Sequence, residues 1–250
     1  MTGMLTWWGH STSTWHESGI TVLFDPVLTA RLGHLRRVRG PVPPPHAGNA
    51  DIVLLSHLHA DHMHIPSLLR VPASAELIAP AGSRRLLKPI LARGVELREV
   101  EPGELVEFGS LRVRVLAADH DGRRHPRSRH RGPALGYVVE GSHRCWYPGD
   151  TGPDFASEKV AHVDLALMPV GGWGPSLGQG HLDPLQAAEA VRRTKPGHAV
   201  PVHWGTLWPM GLPQRADLID LPAPTFAEHV ARLAPTTSVH LLRHGQSVEL

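Results

Sequence analysis

The stretch SHLHADHMH, Ser56 to His64, places four histidines and an aspartate within nine residues. Imidazole and carboxylate groups either hold metal cations or carry protons. His57 and His59 are two apart, so in an extended segment they point to the same side. Asp61 and His62 are adjacent and, after a turn, can face a different point. That spacing favours two neighbouring cations over one. The chain holds 19 histidines in 250 residues, so the string gains weight only if further ligands stand where a fold would gather them.

Open α/β architectures collect ligands on loops at the carboxyl ends of strands. Asp25 follows TVLF, His57 follows DIVLL, His120 follows LRVRVLAAD, Asp150 follows HRCWYPG and His203 follows GHAVPV. Each of these strand-like runs ends on a ligand or on a residue that can support one. One cation would take His57, His59 and His120, and the other Asp61, His62 and His203. Asp150 can bridge through its two carboxylate oxygens. A nitrogen-rich set without thiolate suits zinc, with Mn2+ or Fe2+ as lesser candidates. Two zinc ions about 3.5–4 Å apart would lower the pKa of a shared water and yield hydroxide near neutral pH. Asp61 would ligate and orient that nucleophile, and Asp25 would fix a ligand histidine by hydrogen bonding.

The elements needed to position these groups are legible as strands. MLTWWGH, STSTWHE and ITVLFDP read as successive strands, with Glu17-Ser18-Gly19 as a tight connection. Arg31 to Gly48 is rich in proline and arginine and reads as a surface loop. ADIVLLSH is a continuous apolar run, suited to a strand buried on both faces. ELIAP, VELREV, LRVRVLAADH, ALGYVVE, HRCWYPGD and DLALMPV follow as strands, and SRRLLKPILARG and DPLQAAEAVRRTKPG as helices. In the second helix Asp183 can cap, Pro184 suits the first position and Gln186 completes a capping box, while Pro196 and Gly197 close it. Strands and helices interleave without a linker, predicting one α/β domain over residues 1–250, built of two similar halves with helices outside packed strands.

Bulk properties narrow the function classes. Hydrophobic residues make up 41% and charged residues 19%, as in an ordinary globular protein. A net charge of +2 gives no reason to expect a nucleic-acid partner. Cys145 is the only cysteine, so no internal disulfide forms and a reducing compartment is expected. No signal peptide and no transmembrane segment are read, which makes the cytoplasm the expected location.

SHLHADH, LAADH, YPGDTG and PVHWGT resemble successive motifs of the metallo-β-lactamase superfamily. WWGHST, FDPV, GHLDPLQAAEA, VHWGT and LLRHGQS resemble, more narrowly, the branch containing the phospholipase D that hydrolyses N-acyl-phosphatidylethanolamine. Ascorbate-phosphate lactonases belong to related branches. The resemblance runs from about Leu5 to Ser247 and implies a four-layer αβ/βα sandwich, two metals, usually zinc, and the ligand set above. It also implies that His181 lies beside the metals and contacts substrate, which makes it the candidate for protonating the leaving oxygen or stabilising developing charge. Many relatives carry an acidic residue at the position of His64, and an aromatic or serine at that of Asp121.

Directly after His120, GRRHPRSRHR forms a basic loop, Gly122 to Arg131, either a solvated face or an anion clamp. Arg123, Arg124 and Arg127 are the clamp candidates, and Trp173, Trp204 and Trp208 either line a pocket or pack in the core. His10 reads as a buried, hydrogen-bonded histidine and His64 as surface or structural. RHGQS near the end is similar to a phosphatase motif, but that motif must follow a first strand at the N-terminus, so it is rejected. The leading reading is a dinuclear zinc hydrolase acting on a phosphodiester or a phosphorylated or anionic ester. A lactonase on a sugar-phosphate-like ring is the second, and a non-enzymatic metal-binding scaffold or sensor the third. The expected partner is a small anionic substrate, with a homo-oligomer possible.

Overall fold

The computed structural model describes residues 2–250. Two seven-stranded mixed sheets lie face to face. In the first, Met4–Gly9, Thr12–Glu17 and Ile20–Phe24 run antiparallel. Ile52–Leu54, Glu76–Pro80 and Glu96–Val100 then continue it in parallel. Gln246–Glu249 closes its outer edge against Met4–Gly9. The second sheet repeats the plan. Leu105–Phe108, Leu111–Ala117, Leu135–Glu140 and Arg144–Tyr147 are antiparallel. Leu165–Pro169, His198–Val202 and Ser238–Val239 follow in parallel. The two similar halves expected from the sequence are thus two sheets, each changing from antiparallel to parallel midway.

Alternation sets which side chains meet between the sheets. Val22 and Phe24, Ile52 and Leu54 face inward against Val113, Val115, Tyr137, Leu165 and Val200. Leu23, Val53, Leu55 and Leu77 face outward and pack under the segments 58–75 and 86–95. Ile52–Leu54 is therefore buried on both faces, which accounts for its unbroken apolar run. The outer face of the second sheet is covered by two helices, Pro184–Thr194 and Pro222–Leu233, packed on Val138, Trp146, Ala166 and Met168.

Helix 184–194 forms with the capping box at Asp183 and Gln186, and Lys195, in a left-handed conformation at φ 51°, ends it. Two expectations are corrected. SRRLLKPILARG is not a full helix, because only Lys88–Leu91 is helical. Pro89 cannot sit deep in a helix and disfavours helical backbone before it, so the turn starts at Lys88 and Gly94 follows soon after. The segment 31–48 is not all loop. Arg31–Leu32 and Leu35–Arg37 form a hairpin that pairs with Leu207–Pro209 in a third, three-stranded sheet. Helix Pro222–Leu233 was missing from the sequence reading, although Pro222 at its first turn and the buried Ala223, Phe226 and Val230 carry its period.

Candidate metal centre

The carboxyl ends of both sheets' parallel strands point to one edge of the sandwich. Asp25 follows Ile20–Phe24, the histidine string follows Ile52–Leu54, Asp150 follows Arg144–Tyr147 and His203 follows His198–Val202. Two groups of side chains converge there. His57, His59, His120 and Asp150 form one, and His10, Asp61, His62 and His203 the other, with ligand atoms within 4.8 Å of one another in each group. His10, Asp25 and His203 have positive φ of 50°, 36° and 61°. Non-glycine residues in this region are strained, and three of the six such residues among those described stand at or beside the converging groups.

Hydrogen bonding fixes how four of the imidazoles present themselves. His62 Nδ1 donates to Asp25 Oδ2 at 2.6 Å, His120 Nδ1 to the Gly180 carbonyl at 2.8 Å and His203 Nδ1 to the Gly171 carbonyl at 2.7 Å. These acceptors have no proton to give, so each Nδ1 carries one. Ser56 Oγ donates to Asp25 Oδ2 at 2.5 Å, which leaves it to accept from His57 Nδ1 at 2.9 Å. All four rings then offer Nε2 to the centre. Asp25 also accepts from Ser56 N at 2.8 Å and from the Tyr147 hydroxyl at 2.5 Å, so it is a buried hub that holds His62 and Ser56 in place.

The separations fit cations. His59 Nδ1 lies 2.9 Å from His57 Nε2 and 3.2 Å from His120 Nε2, and His62 Nε2 lies 3.3 Å from His203 Nε2. Nitrogens bound to one zinc at ~2.0–2.1 Å in a tetrahedron stand about 3.3 Å apart. Asp150 stands between the groups. Its Oδ2 is 3.1 Å from His62 Nε2 and 3.9 Å from His57 Nε2, and its Oδ1 is 3.2 Å from His203 Nε2. Oδ1 is buried yet has no hydrogen-bond partner of acceptable geometry. A buried carboxylate oxygen left in that way is costly unless a cation meets it. The donor set and its spacing therefore fit metal.

Electrostatics agree with that requirement for positive charge. Burial pushes His57 well below the usual histidine range, His59 to about 4, and His120 down. Burial also opposes charging His203, but Asp150 and Asp61 outweigh it and hold the ring at about 9. His62 is driven up by Asp150, Asp61 and Asp25 against its own burial. Asp61 and Asp150 sit well below the usual carboxylate range despite burial, because of the histidines around them. Without cations, protons on His62 and His203 balance the two carboxylates.

A cavity of about 770 Å³ opens onto the centre, with His59, Asp61, His181 and His203 among its walls. His181 Nδ1 lies 3.2 Å from the Gly178 and Gln179 carbonyls, and its Nε2 lies 3.3 Å from Asp150 Oδ2. Trp173 lines the cavity and also donates from Nε1 to Asp61 Oδ2 at 3.0 Å. Trp204 stacks on Trp7 and Trp208 is buried. Of the three loop arginines, Arg124 lines the cavity, and its Nη1 donates to the Leu58 and Met63 carbonyls at 2.8 Å each. Arg123 pairs with Asp121 at 2.5 Å, and Arg127 is exposed outside the cavity walls.

Four more histidines stand around the centre, and of these His10 is buried and hydrogen-bonded as its sequence reading expected. His64 is buried in the cavity wall, its Nδ1 2.7 Å from Ser67 Oγ, and His34 stands edge-on to Trp173. His10 is fully buried with Nε2 3.0 Å from Asp61 Oδ2, and burial beside His203 lowers it to about 4. His244 packs on Trp7. For His34, His64 and His244 no local signal existed, because their surroundings come from segments far away in the chain.

Two mixed sheets packed face to face, with histidine and aspartate delivered from their carboxyl ends, define the metallo-β-lactamase fold class. The family described as "Beta-lactamase superfamily domain" matches residues 21–204. A UPF0173 protein of Pyrococcus furiosus is 30% identical over 81% of this chain and 83% of its own length. A UPF0173 metal-dependent hydrolase of Thermoplasma acidophilum is 29% identical over 74% and 76%. The solved structure of Igni18, a metallo hydrolase from Ignicoccus hospitalis, superposes with a TM-score of 0.74 at 20% identity, covering 100% of this chain and 99% of that one. The chain belongs to the metallo-β-lactamase superfamily.

Proposed function

We propose that this chain is a metal-dependent hydrolase, one domain over residues 1–250, with a dinuclear centre. His57, His59 and His120 would hold one cation, Asp61, His62 and His203 the other, and Asp150 could serve both. The observation that carries this reading is Asp150 standing between two sets of imidazole nitrogens, with Oδ1 buried, 3.2 Å from His203 Nε2 and without a hydrogen bond of acceptable geometry. Zinc is the cation such a set fits, with Mn2+ or Fe2+ as alternatives. When bound, the pair supplies Lewis acidity and a water of lowered pKa.

The chain's own residues supply the rest. Asp61, held at Oδ2 by His10 and Trp173, orients the attacking water. His181 reaches Asp150 with one ring nitrogen and borders the cavity, so it can pass a proton to the leaving oxygen. Arg124 offers its unused guanidinium edge to an anionic group on a phosphodiester or phosphorylated ester.

A second reading has a specific observation behind it. Leu32, Leu35, Trp173 and Leu177 make much of the wall apolar, and Arg123 is already paired with Asp121. Both favour a lactone or neutral ester over a doubly charged phosphate. Among the described residues no helix is long and apolar enough to cross a membrane. We take the substrate to be a small molecule in a reducing cytoplasm, where the buried thiol of Cys145 stays reduced. Assaying zinc-loaded protein on bis-p-nitrophenyl phosphate and a set of lactones tests the proposal. Turnover of the diester and none of the lactones supports the first reading, the reverse supports the second, and turnover of neither with a fully loaded centre refutes both.

A further inference from the structure

His244 has no part in the proposed chemistry and His10 enters it only through its bond to Asp61, yet one chain of contacts joins the two histidines. His10 lies at zero exposure, and its Nε2 is 3.0 Å from Asp61 Oδ2. A carboxylate oxygen only accepts, so Nε2 carries the proton. The other ring nitrogen, Nδ1, is buried without any partner. A buried ring with half its bonding unmet is retained for the one bond it makes. Its backbone is held from every side in the left-handed region, at φ 50° after Gly9 at φ 116°. His10 N donates to Thr206 Oγ1 at 2.7 Å, and its carbonyl accepts from Trp7 Nε1 at 2.8 Å and His203 N at 2.9 Å. The ring lies over that of His203, with centroids 4.1 Å apart.

Thr206 leads on to the end of the chain. Its hydroxyl donates to the Trp204 carbonyl at 3.0 Å and accepts from His10 N. One lone pair remains, which His244 Nε2 meets as a donor at 3.1 Å. The His244 ring also packs on Trp7 at 4.5 Å, the residue whose indole holds the His10 carbonyl. Gly9 and Gly40 press so closely on His244 that a Cβ on either would collide with the ring. The strand Gln246–Glu249, paired with Met4–Gly9, pins this segment in place. RHGQS thus supplies a structural wedge under the metal centre.

We infer that His10 is a positioning residue for Asp61, and that His244 sets His10 through Thr206 and Trp7. This rests on the dinuclear reading above. His10 and Trp173 both bond Oδ2, the Asp61 oxygen that also stands 3.6 Å from His62 Nε2 and 3.8 Å from His203 Nε2, so they aim the carboxylate at the site those histidines would share with it. Residues that orient a metal ligand typically change affinity ~10–100-fold when removed.

The test is a Zn2+ titration of the metal-free chain against a chromophoric chelator, with cations per chain and both affinities measured, for wild type, His10→Ala, His10→Gln and His244→Ala. Thermal melting checks folding of each. The inference expects two cations in the wild type. One of the two sites should weaken about tenfold or more in His10→Ala with the other unchanged, and recover in His10→Gln, whose amide can donate to Asp61. His244→Ala should weaken the same site to a smaller degree. If His10→Ala does not fold, His244→Ala and Thr206→Val carry the same measurement. Two cations with affinities unchanged in the variants would overturn the inference and leave the dinuclear reading standing. Equal weakening of both sites, or no recovery with glutamine, would reduce His10 to a structural residue and also overturn it. Fewer than two cations in the saturated wild type would overturn both.

Discussion

Replacing Asp25 with asparagine tests the centre without touching any proposed ligand. Asp25 Oδ1 accepts from Ser56 N, and Oδ2 accepts from Ser56 Oγ, Tyr147 and His62 Nδ1. Asparagine can keep Oδ1 and must put an NH2 group in place of Oδ2. The two hydroxyls can rotate to accept from it. His62 Nδ1–H cannot, and its relief is to move the proton to Nε2, the nitrogen aimed at Asp150 and His203. The substitution therefore blinds a ligand by changing its tautomer. A charge-assisted hydrogen bond is worth about 1.5–3 kcal/mol. The expected loss of affinity at the Asp61, His62 and His203 site is 10–100-fold, or ~1.4–2.7 kcal/mol. Competitive zinc titration reads it, with circular dichroism to confirm folding. Wild-type affinity at both sites in a folded Asp25→Asn protein would refute the hydrogen-bond argument.

Other outcomes follow from the same geometry. His181→Ala should lower kcat by ~10²–10⁴ while zinc content, measured by elemental analysis, stays at the wild-type value. Arg124→Met removes both bonds to the Leu58 and Met63 carbonyls and should cost about 1–3 kcal/mol in urea unfolding, whereas Arg123→Ala, which breaks an exposed pair with Asp121 and a long exposed bond to the Pro126 carbonyl, should leave the unfolding midpoint unchanged. Metal-free protein should be most stable near pH 6.5. His10, held at about 4 against 6.5 when unfolded, lets the unfolded chain bind the proton first, so stability falls as pH drops through that window, by about 3 kcal/mol for this fully buried ring. His203, raised to about 9, works the other way, its contribution being complete below 6.5 and lost as pH rises to 9. In chelator, a melting temperature that keeps climbing from pH 6.5 to 9 would contradict the His203 sign, and one that falls from pH 5 to 6.5 would contradict the His10 sign.

What could be seen from the sequence was what local chemistry decides. The helix after Asp183 announces itself because its cap, first proline and closing residues all lie within fifteen positions. Strands such as Ile52–Leu54 stand out because burial on both faces leaves no polar residue to interrupt them. The histidine string and the strand-ending Asp25, Asp150 and His203 were visible because strand ends bound the places where ligands can gather. Partnership over long distance was not visible. The hairpin at 31–37 exists only because Leu207–Pro209 pairs with it, and its short strands have no period of their own. His64 read as surface or structural, and only Ser67 and the cavity wall decide for a buried structural place. The arginine-rich loop read as either a solvated face or an anion clamp, and its charges go three ways: to Asp121, to backbone carbonyls and to solvent.

The central claim is that two cations share the Asp150 carboxylate. Crystals of zinc-loaded protein, measured at the zinc absorption edge, address it directly through anomalous scattering. The account requires two anomalous peaks about 3.5–4 Å apart, one beside His57, His59 and His120 and one beside Asp61, His62 and His203, with an Asp150 oxygen bonded toward each. A single peak, or two peaks with Asp150 turned away from both, would contradict it.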